Sequence, residues 1–139
     1  MQKPGLSETA VGLLQNGTPV TEILNHVQRL TLGDYLYGFL RDRSVEAVAG
    51  LAGLNKSTLY RILNAEVSPQ RNVLLRLSRI LNMDLSETQT LLKLGNLATL
   101  SGSNLRDIVI IDGILRNLDI VDICNQLTKN GFSDLFSKK

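Results

Sequence analysis

Two short helical patterns meet at Gly53 with almost no chain between them. In residues 44–65, SVEAVAGLAGLNKSTLYRILNA, apolar residues recur at helical spacing on both sides of the glycine. Two helices joined this tightly must cross steeply, which needs a turn residue that tolerates positive φ and a small side chain where the backbones approach. Ala49 is the expected crossing residue, Gly53 the turn residue and Leu54 the apolar plug behind it. Leu59, Ile62 and Leu63 then anchor the second helix. Lys56, Ser57, Thr58, Tyr60 and Arg61 are left on its outward face, where they can donate to phosphates and to base edges.

The remainder of the chain is punctuated in the same way. Ser7 is placed to cap a short helix ending near Gly17. Thr18–Pro19 is a cap-plus-proline start, followed by the stripe Val20, Ile23, Leu24, Val27 and Leu30. Thr31 and Asp34 open the run LGDYLYGFLRDR, Ser44 caps the helix that ends near Gly53, and Asn55 caps the next. Ser68–Pro69 is expected to start the helix VLLRLSRIL, and Ser86 to cap ETQTLLKL, closed by Gly95. After the loop ATLSGSN come two more helical patterns, LRDIVIIDGILRN and DIVDICNQLTKNG. About eight helices and no strand are expected, an all-α fold with a leucine-rich core; aromatic residues make up only 4% of the chain. Residues 115–130 also echo residues 40–55 at an offset of 75, but no polar helix follows the second copy.

The formal net charge of +2 says little by itself, but it is unevenly placed. Residues 1–31 and 85–139 are each neutral, whereas 53–82 carry Lys56, Arg61, Arg71, Arg76 and Arg79 against Glu66 alone. That basic excess coincides with the two-helix motif, as a surface for nucleic acid would require. Arg76 and Arg79 share a helical face, and each of Arg71, Arg76 and Arg79 is a candidate phosphate contact or an ordinary surface residue.

The segment SVEAVAGLAGLNKSTLYRILNAEVSP resembles the helix-turn-helix of the Cro and phage-repressor type, the XRE family. The pattern lies in Ser44, Val48, Ala49, Gly53, Leu54, Ser57–Thr58, Leu59, Ile62 and Asn64, with Pro69 and LLRLSRIL following. The resemblance covers about residues 32–94 and implies five helices. It implies base contacts from the start of the second helix of the motif, at Lys56 and Ser57, with Tyr60 or Arg61 one turn on; Asn55 and Thr58 beside them are further DNA-binding candidates. Asn64 matches a phosphate-contacting position. The sequence departs from the pattern at Val45, Leu63 and Ala65, where the family commonly has Gln, Glu and Gly.

The organisation expected is an N-terminal helical extension (1–31), a five-helix repressor-like domain (32–95) and a C-terminal helical pair (103–139). The function implied is sequence-specific binding of double-stranded DNA by a repressor-like regulator acting as a homodimer. The alternative is a DNA-binding antitoxin or phage-type accessory protein whose C-terminal helices hold a protein partner. A third reading keeps the fold as an interaction module without DNA binding. There is no Gly-rich phosphate loop, no paired acid and base, and no metal-ligand spacing, so neither an enzyme nor a cofactor or metal is expected. His26 reads as a surface or core-edge residue and Cys124 as a buried, inert thiol. The start MQKPGLSETA lacks a signal-peptide core and no run approaches a membrane span, which sets the expectation of a cytoplasmic protein.

Overall fold

The computed structural model describes residues 15–21 and 30–138. The chain divides into two units, Met1–Thr31 and Leu32–Lys139. In the first, Gly17 adopts φ 81° and helix resumes at Val20, immediately after Thr18–Pro19. The Ser7-capped helix, His26, and Ile23, Leu24 and Val27 of the stripe lie outside the described residues.

The second unit is all-helical, with seven helices among its described residues. They are α1 (Leu32–Leu40), α2 (Val45–Leu51), α3 (Lys56–Leu63), α4 (Arg71–Ile80), α5 (Leu85–Leu94), α6 (Leu105–Leu115) and α7 (Ile120–Lys129). The run IVII belongs to α6, as the helical stripe around it predicts.

Helices of seven to eleven residues are marginal in isolation, so packing and end-capping must hold them. Ser44 Oγ accepts from Ala47 N–H at 2.9 Å, Asn104 Oδ1 from Asp107 N–H at 3.0 Å and Asp119 Oδ1 from Asp122 N–H at 2.8 Å. The α5 cap is Asp84 rather than Ser86. Asp84 and Glu87 close a reciprocal capping box, and that spacing outcompetes the serine two residues on. The α4 cap is Gln70 rather than Ser68, so Pro69 stands before the helix and not within its first turn.

The C-terminal ends share one device. Each of the seven helices is followed by a residue at positive φ: Arg41, Gly53, Ala65, Asn82, Asn96, Asn117 and Gly131. After six of them the next amide bonds back to a carbonyl five residues earlier, as Leu54 does to Ala49 and Phe132 to Leu127. This is the Schellman arrangement, which satisfies helix-end carbonyls and turns the chain sharply. Gly95 ends α5 with an ordinary φ of −83°; the left-handed residue is Asn96.

One core runs through the whole second unit. Leu59 of α3, Leu74, Leu75 and Leu77 of α4, Leu91 and Leu92 of α5, Ile110 of α6, and Ile123 and Leu127 of α7 are all essentially inaccessible. α4 lies at the centre, packed on α2, α5 and α7, while α6 packs on both α5 and α7. Two glycines let helices approach closely. A β-carbon at Gly33 of α1 would fall 1.9 Å from the Leu63 carbonyl oxygen at the end of α3, and one at Gly113 of α6 would fall 2.5 Å from Ile123 of α7. Ser44 and Asp119, the caps of α2 and α7, are equivalent positions of the sequence echo. After α7, however, the chain continues as an irregular segment and not as a third helix.

Candidate nucleic-acid interface

The candidate surface is built on α2 and α3. α2 ends at Leu51, the chain turns through Ala52–Gly53–Leu54–Asn55, and α3 begins at Lys56. Gly53 has φ 70°, as the turn requires. Its amide donates to Gly50 O, and Leu54 N–H donates to Ala49 O at 2.8 Å, which locks the corner. Ala49 and Ala52 are fully buried, so the backbones of α2 and α3 meet without intervening side chains. Leu54 is half-buried against the core. Leu59, Ile62 and Leu63 fasten α3 from below, against α1 and α2.

The opposite face of α3 is open. Asn55, Lys56, Ser57, Tyr60, Arg61 and Asn64 are exposed and Thr58 is half-buried. Positions 57, 60, 61 and 64 follow helical spacing, so they form one continuous polar surface. Asn55 occupies the N-cap position with extended backbone, but its side chain makes no capping bond. Lys56 Nζ lies 4.0 Å from Glu46 Oε2 of α2, with both side chains mostly in water. Glu46 therefore places a negative charge beside the polar face of α3. Sequence spacing alone does not disclose this, because only the packing of α3 against α2 brings the two residues together.

The basic excess of residues 53–82 does not form a surface patch. Three of its five cations face inward, because helix ends and loops inside the unit present carbonyls that need donors. Arg71 grips Asp107 in a two-pronged pair, both contacts at 2.8 Å, and also donates to the carbonyls of Ala98 and Thr99. Buried Arg76 donates to Ala52 O at 2.7 Å and Leu135 O at 2.6 Å. Buried Arg79 donates to the carbonyls of Leu118 and Met83. Burial lowers the pKa of both Arg76 and Arg79 below the usual arginine value. None of the three is offered to a phosphate, and Lys56 and Arg61 are the basic residues that the motif leaves exposed.

The C-terminal pair is also partly absorbed. Ile110, Ile114, Ile123 and Leu127 enter the core, and Val109, Ile111 and Cys124 pack against it. Leu105, Ile108, Leu115 and Val121 stay exposed, with Leu105 and Leu115 each 69% accessible. Cys124 is a free, half-buried thiol rather than a buried one, and burial raises its pKa above the usual thiol value. Among the described residues no group of His, Cys, Asp and Glu is placed to hold a metal ion, and no helix is long and apolar enough to cross a membrane.

Residues 40–91 match a family model described as a helix-turn-helix domain. The match runs from the end of α1 into α5 and takes in the α2–α3 corner whole. It spans a little over a third of the chain, and the C-terminal pair lies beyond it. No curated protein and no solved structure matches the chain.

Proposed function

We propose that this protein binds double-stranded DNA sequence-specifically, with α3 as the helix that enters the major groove, and acts as a repressor-like transcription regulator. One observation carries the reading: α3 is fastened by Leu59, Ile62 and Leu63 on one side and presents an unobstructed polar face on the other. Lys56, Ser57, Tyr60 and Arg61 supply the donors that base edges accept, while Asn55 and Asn64 flank them at the two ends of the helix and the half-buried Thr58 lies between them. The helix-turn-helix match supports the same reading. Because Arg71, Arg76 and Arg79 are committed inside the fold, few cations remain to neutralise phosphates. One unit alone binds weakly on that account, and affinity comes from pairing two.

The exposed stripe Leu105, Ile108 and Leu115 on α6, with Val121 of α7, is proposed as the contact between two copies. Selection of bound sites from random duplexes tests the DNA reading: a recovered two-fold-related site supports it, and recovery of no preferred sequence contradicts it. Light scattering of the full chain and of Leu105→Glu with Leu115→Glu tests the pairing. A dimer that the double variant splits supports it. A monomer at tens of micromolar would transfer the stripe to the alternative, a protein partner of an antitoxin-like or phage-type accessory protein.

A further inference from the structure

The segment after α7 has no regular structure, yet its backbone is held at almost every residue. Arg106 donates to the carbonyls of Ser133 and Asp134, both at 3.0 Å. Arg76 donates to that of Leu135, and Asn72 to that of Ser137 at 3.0 Å. The Leu135 side chain is completely buried. This fixes the place of the next side chain, Phe136, whose ring lies 4.8 Å from the Arg76 guanidinium carbon, a cation–π stack.

The same ring reaches the corner between α2 and α3. A β-carbon at Gly53 would stand 2.9 Å from Phe136 Cε1. The Arg76 guanidinium under the ring also holds the carbonyl of Ala52, the residue before Gly53. Phe136 and Arg76 thus grip the corner together, the ring against Gly53 and the guanidinium on Ala52. Phe136 remains 47% exposed, so about half of its surface is covered, and the ring contacts named here are with the corner and the cation. We infer that Phe136 is a positioning residue: a strap from the far end of the chain, it sets the angle at which α3 leaves the turn. The use of that angle in recognition rests on the DNA-binding reading above.

The test uses the full-length chain and has two independent readouts. Amide hydrogen exchange, measured without DNA, follows Gly53 and Leu54, with Leu118 at the end of α6 as the internal reference; all three amides bond back into their helix ends. In Phe136→Ala, exchange at Gly53 and Leu54 rises about tenfold relative to Leu118, because the corner opens locally. Affinity for the selected duplex falls about tenfold while affinity for random duplex hardly changes, since the charges are untouched. Phe136→Tyr, which keeps ring and stack, restores both. Unchanged exchange at the corner, or a rise shared equally by Leu118, overturns the positioning role, and so does rescue by Phe136→Ser as complete as by Phe136→Tyr. If the corner loosens as expected but the parent chain prefers no duplex, the positioning stands and the DNA-binding reading fails.

Discussion

Gly33 and the Leu63 carbonyl touch so closely that no other residue fits at position 33. A β-carbon there would lie 1.9 Å from the Leu63 oxygen and 2.8 Å from its carbonyl carbon. Those are backbone atoms at the end of α3, and they cannot swing aside as a side chain would. Gly33→Ala must therefore push α1 and α3 apart, at an expected cost of about 2–3 kcal/mol. Thermal melting measures it, and a midpoint within a degree of the parent chain would show that α1 and α3 do not meet as described.

Ala65 sits just past α3 at φ 60°, where an L-residue with a β-carbon is strained. Its amide bonds to Ile62 O, and the following Glu66 amide to Arg61 O, so the conformation is imposed by the helix end. Ala65→Gly is expected to stabilise the protein by about 1 kcal/mol, the reverse of the usual effect of glycine. Denaturant titration checks the sign; a destabilised variant would mean that residue 65 is not left-handed.

Asp107 is 2% exposed and joins the start of α6 to Arg71 of α4. Burial alone would raise its pKa. The Arg71 hydrogen bonds, the Ser101 N–H at 3.0 Å and the charges of Arg71 and Arg106 outweigh that, and the pKa lies below the usual carboxylate value. A folded-state pKa below the unfolded one contributes stability that is present above about pH 4 and lost as pH falls through the folded value. Asp107→Asn should cost about 3 kcal/mol at pH 7 and flatten the acid limb of the stability curve. Melting from pH 7 down to pH 3 measures both; parallel acid limbs for parent and variant would contradict the assignment.

Glu46 faces Lys56 across the α2–α3 corner. An exposed pair at 4.0 Å contributes little to folding, so Glu46→Gln should leave the melting midpoint nearly unchanged. Its effect appears on DNA, where it removes a charge that repels phosphate and competes for Lys56. Binding to the selected site and to random duplex should both tighten about threefold, close to 0.7 kcal/mol. Weaker binding in a fluorescence titration would place Glu46 on the productive side of the interface.

The parts of this fold that follow from periodicity are legible in the sequence. Val48, Leu59 and Ile62 fall inward and Lys56, Tyr60 and Arg61 outward because helical spacing separates them. Gly53 is legible because a helix breaker between two helical runs has few other uses. Gly33 is not, since a glycine inside a helix looks only like a weak helix former until a second helix is laid across it. The fate of Arg71, Arg76 and Arg79 is hidden for a related reason. A count of charge along the chain cannot register carbonyls brought in from residues 52, 98, 118 and 135. The strap after α7 is equally silent, because most of its bonds are made by backbone atoms. Asp84, by contrast, could have been found: Asp84 and Glu87 stand three apart, as a capping box requires.

The central claim is that the exposed face of α3 reads DNA, and the most direct measurement is the affinity of Lys56→Ala and Arg61→Ala for the selected duplex and for a scrambled one, across a salt series. If the claim holds, each variant melts like the parent chain and loses about 1–3 kcal/mol on the selected duplex. The preference over the scrambled duplex shrinks, and the salt dependence becomes shallower by roughly 0.9 for each phosphate no longer neutralised. Parent-like affinity and parent-like preference in both folded variants would contradict it.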